Sequence, residues 1–349
     1  MSGADVGLAG IDAARVGDWL ATNVPGLAGP VELTLVAGGR SNLTYRVTDA
    51  AGVEYALRRP PTGGVLSTAH DMGREWLFLS ALAPTDVPVP TPLAFCADPE
   101  VTGAEFYVMA FVDGLVLADP EAGRELAPAA RATAGQDVVD VLVGLHALDP
   151  VAVGLGEIVR STGFVERQLR RWHRQVHQSG ARDLALLDEV HDLLAGHVPA
   201  QTNGIVHGDY RPGNMSFGQD GRVRAIFDWE LATSGDPLAY LGWLISTWQH
   251  PGEELGATTP GPSTVPGYGT REELVARYAA GSGRDVSDLP YFVAFCRWRA
   301  ACILAGVNAR YQAGFMGDNE YAGVARERAE QSERLVLAAR DALRNGTLA

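Results

Sequence analysis

The chain changes texture at Asp113, and that change limits the fold more than any other feature. Before it, VELTLV, LTYRV and VEYALR alternate apolar and polar residues between Val31 and Arg58. They are separated by AGGRSN and TDAAG, a combination that reads as an antiparallel meander. A helix is expected over Met72–Leu82, a proline-rich break over Pro84–Pro92, and a further strand over Glu105–Phe111. After Asp113, long Ala/Leu/Arg segments at Glu125–Leu148, Thr162–Gln178, Arg182–Leu194, Arg271–Ala280, Leu289–Val307 and Asn319–Asn345 all carry helical spacing. An α+β protein with a β-rich first third and a helical remainder follows, with no internal repeat and no heptads. Within the helical part, Gly204–Asp228 holds only short apolar runs, and His250–Thr270 is a loop rich in Gly, Pro and Thr.

Charge and cysteine usage narrow the partners. The 349 residues carry 28 basic and 42 acidic side chains, a formal charge of −14. Such a surface repels phosphate backbones and anionic lipid, so neither nucleic acid nor membrane is an expected partner. Every basic residue is arginine, so a site that ordinarily relies on lysine must manage without one. Cys96, Cys296 and Cys302 have no C-x-x-C spacing and no nearby histidine, and read as reduced thiols filling core space. The opening MSGADVGLAG lacks the pattern of a signal peptide, and the apolar runs at Leu238–Ile245 and Ala300–Val307 are too short to span a bilayer. A cytoplasmic location is the expectation.

The most informative stretch is His207-Gly208-Asp209-Tyr210-Arg211-Pro212-Gly213-Asn214, followed by Ile226-Phe227-Asp228. An isolated H-G-D can be a plain turn in which the aspartate caps its own backbone. The full spacing, with Asp209 five residues before Asn214 and Asp228 fourteen after it, suits phosphoryl transfer better. One carboxylate takes a proton from an attacking hydroxyl, while an amide oxygen and a second carboxylate hold the magnesium that bridges ATP phosphates. Upstream, Gly38-Gly39-Arg40-Ser41-Asn42 sits between two expected strands, either as an ordinary turn or as a hairpin whose N–H groups cover phosphates. On the strand Tyr55-Ala56-Leu57-Arg58, Ala56 and Arg58 share one face and Arg59 points away.

With H-G-D-x-x-x-x-N and I-x-D in place, the chain resembles the aminoglycoside phosphotransferase and choline kinase group, which shares the two-lobed protein-kinase-like fold. The resemblance implies a nucleotide-binding lobe over residues 1–112 and a catalytic, substrate-binding lobe over 113–349. It implies Asp209 as the catalytic base, with Asn214 and Asp228 as magnesium ligands. Ser41 and Asn42 would lie at the ATP phosphates, Ala56 over adenine, and Arg58 in the place of the usual lysine, paired with Glu75. The Ala110 carbonyl and the Val112 N–H would meet adenine, and Asp236 would brace the catalytic loop. LRRPP, VPVPTPLAFC, FYVMAFVDG and ILAGVNARYQAG are similar to the kinase-like domain of fused acyl-CoA dehydrogenases.

The implied activity is a magnesium- and ATP-dependent O-phosphotransferase acting on a small-molecule hydroxyl, hydroxyacyl-CoA-like or aminoglycoside-like. The alternative is a nucleotide-binding regulatory protein with a degenerate site and no turnover. A protein kinase is disfavoured because no D-F-G and A-P-E pair encloses an activation segment. Trp229, Glu230, Trp243, Trp248, Tyr291, Arg297, Arg299, Arg310 and Tyr311 are candidates for substrate contact, with His250–Thr270 as a loop that closes over it.

Overall fold

Alternating apolar and polar residues give each short segment after Glu32 one buried face. In the computed structural model, which describes residues 11–38, 42–61, 71–159, 163–253, 260–313 and 320–348, α1 (Ala13–Asn23) precedes the strands β1 (Glu32–Gly38), β2 (Leu43–Thr48) and β3 (Glu54–Arg59). Then come α2 (Met72–Leu82), β4 (Pro92–Cys96), the short α3 (Pro99–Thr102) and β5 (Phe106–Ala110). The five strands form one antiparallel sheet in the order β1-β2-β3-β5-β4. Pairing of Tyr45 with Leu57 and of Arg46 with Ala56 sets the register of its centre. Tyr45, Val47, Leu57, Phe106 and Val108 fill the core against Val16 and Leu20 of α1, with Trp19 edge-on to Phe106 at 4.8 Å.

Three of these elements, α1, β4 and the short α3, have no counterpart in the sequence expectation. The helix α1 starts where the Asp12 carboxylate accepts the Ala14 and Arg15 N–H groups. The strand β4 begins at Pro92, where the proline cluster reads as a break. It lies at the sheet edge, where a proline opening the strand forfeits little of the ladder.

Met1–Asp113 and Arg224–Ala232 make one compact unit, and Gly114–Val223 with Thr233–Ala349 make the second. The sequence boundary assigned 224–232 to the lobe beginning at 113, whereas this segment packs with the first unit. Ile226 N–H donates to Pro88 O at 2.8 Å, Arg74 donates to Ala232 O, and Trp229 stacks on Phe78 at 6.2 Å. Sequence proximity could not show this, because each contact is long-range.

The second unit begins with α4 (Pro120–Glu125) and α5 (Pro128–Ala147), where a single helix from Glu125 was expected. Pro128 takes the first helical position of α5 and forces a new start. Next come α6 (Phe164–Gln178), α7 (Ala185–Gly196), β6 (Gly204–Val206), β7 (Met215–Phe217), β8 (Val223–Ile226), of which only Val223 belongs to this unit, and β9 (Thr233–Gly235). The chain ends with α8 (Pro237–Thr247), α9 (Arg271–Ser282), α10 (Leu289–Gln312) and α11 (Glu320–Asn345). The apolar run expected at Leu238–Ile245 is thus helix α8, capped by Asp236. Among the described residues, α10 alone is long and apolar enough to cross a membrane, and 78% of its apolar window is buried inside the protein. Phe292, Phe295 and Trp298 on α10 form the centre of this unit's core, against residues of α6, α7, α8 and α11.

Candidate active site

The loop after β6 is shaped by its own sequence. Gly208 sits at φ 96°, a conformation that penalises any side chain, and so lets the chain reverse between His207 and Asp209. Tyr210 is buried and anchors the loop by donating its hydroxyl to Val138 O at 2.7 Å. Behind the loop, β6 pairs with β9, and the Asp236 carboxylate accepts the Thr202 and Leu238 N–H groups at 2.6 and 2.7 Å. Asp236 therefore supports the loop's entry and caps α8 at once.

Asp209 is held at both carboxylate oxygens. Trp243 donates its indole N–H to Oδ1 at 3.0 Å, while Arg211 Nε and Asn214 Nδ2 donate to Oδ2 at 3.1 and 2.9 Å. Asn214 Nδ2 also donates to the Asp209 carbonyl at 2.8 Å, so only its Oδ1 can face a cation. Burial raises the Asp209 carboxyl, but the charge and hydrogen bond of Arg211, with His207 and Asn214, bring it below the ordinary carboxylate range. It is ionised at neutral pH and can accept a proton.

Asp209 opens onto a cavity of about 470 Å³, also lined by Arg211, Trp243, Pro262, Ile303 and Leu304. Pro262 and Ser263 bring the Gly/Pro/Thr loop to the cavity wall. Residues 254–259 of that loop lie outside the described residues.

The first unit holds a second constellation. Arg58 on β3 donates from Nε to Glu75 Oε2 at 2.9 Å and from Nη2 to Asp228 Oδ1 at 2.5 Å. Glu75 on α2 is fully buried and accepts from Arg58, from the Tyr107 hydroxyl at 2.7 Å and from Asn42 Nδ2 at 2.8 Å. Burial pushes its carboxyl up against the pull of Arg58 and Tyr107. Burial also lowers the Arg58 guanidinium, and the surrounding Glu75, Tyr107 and Asp228 more than restore it. Asp228 lies just past β8 at φ 65°, ψ 60°, the left-handed region that costs a non-glycine residue energy. No sequence signal marks that conformation.

Asn42 Nδ2 donates to Glu230 Oε2 as well, at 3.2 Å, which fixes the amide orientation. Its Oδ1 is left buried with no hydrogen-bond partner. Carboxylate oxygens of Glu75, Asp228 and Glu230 lie within 4.8 Å of one another. Unpartnered or anionic oxygens alone make this a donor set for a hard cation such as Mg²⁺.

The other expected residues fall out unevenly. Ala56 is buried on β3, opposite Met109, and Ala110 ends β5 with Val112 two residues beyond it. Ser41 lies outside the described residues. Trp243, a candidate for substrate contact, holds Asp209 and also faces the cavity. Glu230 belongs to the Asn42 cluster, and Trp248 lines the cavity. Three substrate candidates are core residues. Trp229 is buried against Phe78, Tyr291 donates its hydroxyl to Leu194 O at 2.9 Å, and the buried Arg297 donates to Leu348 O at 2.8 Å. Arg299 lies 4.9 Å over the Trp243 ring, whereas Arg310 is exposed and, like Tyr311, is absent from the cavity wall. Spacing along α10 could not separate these arginines, because all sit in one apolar helix.

A family model for a phosphotransferase enzyme family matches residues 32–302. The chicken acyl-CoA dehydrogenase family member 11 is 33% identical over 301 residues, covering 82% of this chain and 38% of that protein. The chain thus spans well under half of that relative's length. A candidate aminoglycoside phosphotransferase from Ralstonia eutropha superposes with a TM-score of 0.81 at 28% identity, over 95% of this chain and 98% of that one. An amicoumacin kinase solved in complex with AMP-PNP, Ca²⁺ and Ami superposes with a TM-score of 0.57 at 16% identity, over 96% of each chain, which is a likeness of fold.

Proposed function

We propose, starting from the fact that this chain belongs to the phosphotransferase enzyme family, that it transfers the γ-phosphate of magnesium-bound ATP to a hydroxyl of a small molecule. The observation that carries this reading is Asp209, ionised, clamped at both oxygens and open to a cavity. Trp243 takes one lone pair of Oδ1, and the other is the site that receives the acceptor's proton. As that O–H bond breaks, the oxygen bonds to the γ-phosphorus, the bond from phosphorus to the bridging oxygen breaks, and ADP leaves. A carboxylate of low basicity suits a loose transition state, in which positioning matters more than proton abstraction.

Arg58 is the cation that binds the ATP phosphates, and Glu75 with Asp228 fixes its guanidinium. The nucleotide-contacting roles of Ser41, Asn42, Ala56, Ala110 and Val112 rest on the family resemblance. Asp228 and Glu230 are the proposed oxygen donors to Mg²⁺ in the first unit, which when bound would neutralise charge on the phosphates, and the role of Asn214 as a metal ligand rests on the family resemblance. The AMP-PNP and Ca²⁺ held by the amicoumacin kinase support a nucleotide with a divalent cation.

For the acceptor, the apolar wall of Trp243, Ile303, Leu304 and Pro262 beside Arg211 favours a hydroxylated acyl compound with an anionic group over a polycationic aminoglycoside. The acyl-CoA dehydrogenase relative points the same way. Arg297, buried in the core, does not contribute to that choice.

The test is ADP release by the purified protein with Mg-ATP against hydroxyacyl-CoAs, aminoglycosides and amino alcohols, with Asp209→Asn alongside. Phosphorylated acceptor with the wild type and a loss of roughly a hundredfold or more in the variant are expected. ATP binding without transfer to any acceptor would favour the regulatory reading instead.

A further inference from the structure

In the second unit, α6 and α7 bring together side chains that the phosphotransfer chemistry does not use. His173 and His177 stand four residues apart on α6, which puts both imidazoles on one face. Both direct Nε2 at the same atom, Asp188 Oδ1 on α7, from 3.0 and 2.8 Å. The three ligand atoms lie within 4.8 Å of one another, and each side chain is one-third to two-fifths exposed. His191, one turn on from Asp188, stacks on the His173 ring at 4.1 Å and limits how far that ring can swing.

We propose that His173, His177 and Asp188 bind a divalent transition metal, with Zn²⁺ the best match. Two imidazole nitrogens and one carboxylate oxygen are a borderline-soft donor set, which Mg²⁺ does not prefer and Zn²⁺ does. Ligands about 2.0–2.1 Å from a tetrahedral zinc stand roughly 3.3 Å apart. The present separations of 2.8 and 3.0 Å are a few tenths shorter. Small rotations of half-exposed side chains open that gap, and the metal then replaces the two N–H protons that Asp188 now accepts. The fourth position faces solvent and takes water. The metal ties α6 to α7, both of which pack on α10, the helix that supplies Ala300, Ile303 and Leu304 to the cavity. The role is a clamp between helices, and it is independent of the phosphotransferase reading.

The full chain, stripped with chelator, is titrated with zinc chloride and desalted, and its zinc content and melting midpoint are measured. Cobalt(II) substitution reports the geometry through its visible absorption. Expected are one retained zinc per chain, a higher midpoint with zinc, and a tetrahedral cobalt spectrum. All three should be lost in His173→Gln/His177→Gln and kept in Asp228→Asn, whose substitution lies in the other donor cluster. Both histidines are partly exposed, so the double variant should fold, as circular dichroism will show. No saturable zinc in the wild type, zinc retention unchanged in the double variant, or its loss in Asp228→Asn would each overturn the proposal.

Discussion

Trp243 donates its indole N–H to Asp209 Oδ1 at 3.0 Å while the Arg299 guanidinium lies over its ring at 4.9 Å. A residue of the apolar helix α8 thereby orients the Asp209 carboxylate on the loop after β6. Trp243→Phe keeps the ring and removes the donor to a charged acceptor, a bond of about 1.5–3 kcal/mol. We expect kcat to fall by roughly ten- to a hundredfold with the KM for ATP little changed. A kcat equal to wild type would show that the bond does not orient the base.

Arg211 pulls the Asp209 carboxyl down, and under the proposed function turnover requires that carboxyl ionised. Arg211→Ala removes the pull and raises the pKa, so the acid limb of kcat/KM should move to higher pH while the plateau above it is affected less. A pH profile with an unmoved acid limb refutes the link.

Arg58 engages Glu75 through Nε and Asp228 through Nη2. Lysine offers a single ammonium and cannot copy that fork. Arg58→Lys should therefore keep the Glu75 contact, loosen Asp228 and raise the KM for ATP. Arg58→Ala should also lower the melting midpoint, because it strands a buried carboxylate, a loss of about 3–5 kcal/mol where such pairs have been broken. Equal KM values for Arg58→Lys and wild type would mean the Asp228 arm is dispensable.

Asp228 occupies a left-handed backbone conformation that Asn tolerates better than Ala. Asp228→Asn should leave the apo melting midpoint near wild type and abolish the extra stabilisation by Mg-ATP over ATP alone. Asp228→Ala should lower the apo midpoint as well. An intact Mg-ATP shift in the Asn variant argues against Asp228 as a metal donor.

His146 on α5 is buried with Nδ1 2.8 Å from the Tyr278 hydroxyl, and burial together with Arg284 lowers its pKa to about 3. The folded protein keeps it neutral, while the unfolded chain protonates near the ordinary 6.5. Stability from this group is therefore complete above about pH 6.5 and is lost as pH falls toward 3, at up to about 1.4 kcal/mol per pH unit. His146→Asn should flatten the dependence of denaturant stability on pH by one proton across that window. Equal slopes would mean His146 is charged in the fold.

The helix α1, the short α3 and the strand β4 were not legible in the sequence, and the pairing of Arg58 with Glu75 was implied by the family resemblance alone. The long helices, the central strands and the loop carrying Asp209 and Asn214 were legible as spacing along the chain. Each depends on local periodicity or on a motif whose residues are close in sequence, and these survive without knowledge of the packing. Tertiary structure alone decided that 224–232 joins the first unit, that Arg297 is core, and that Trp243 grips Asp209. It also decided that His173, His177 and Asp188 converge on one oxygen. The physical reason is the same in each case. A tryptophan or an arginine in an apolar helix has one local pattern whatever its long-range partner, and only the packing of one element on another selects that partner.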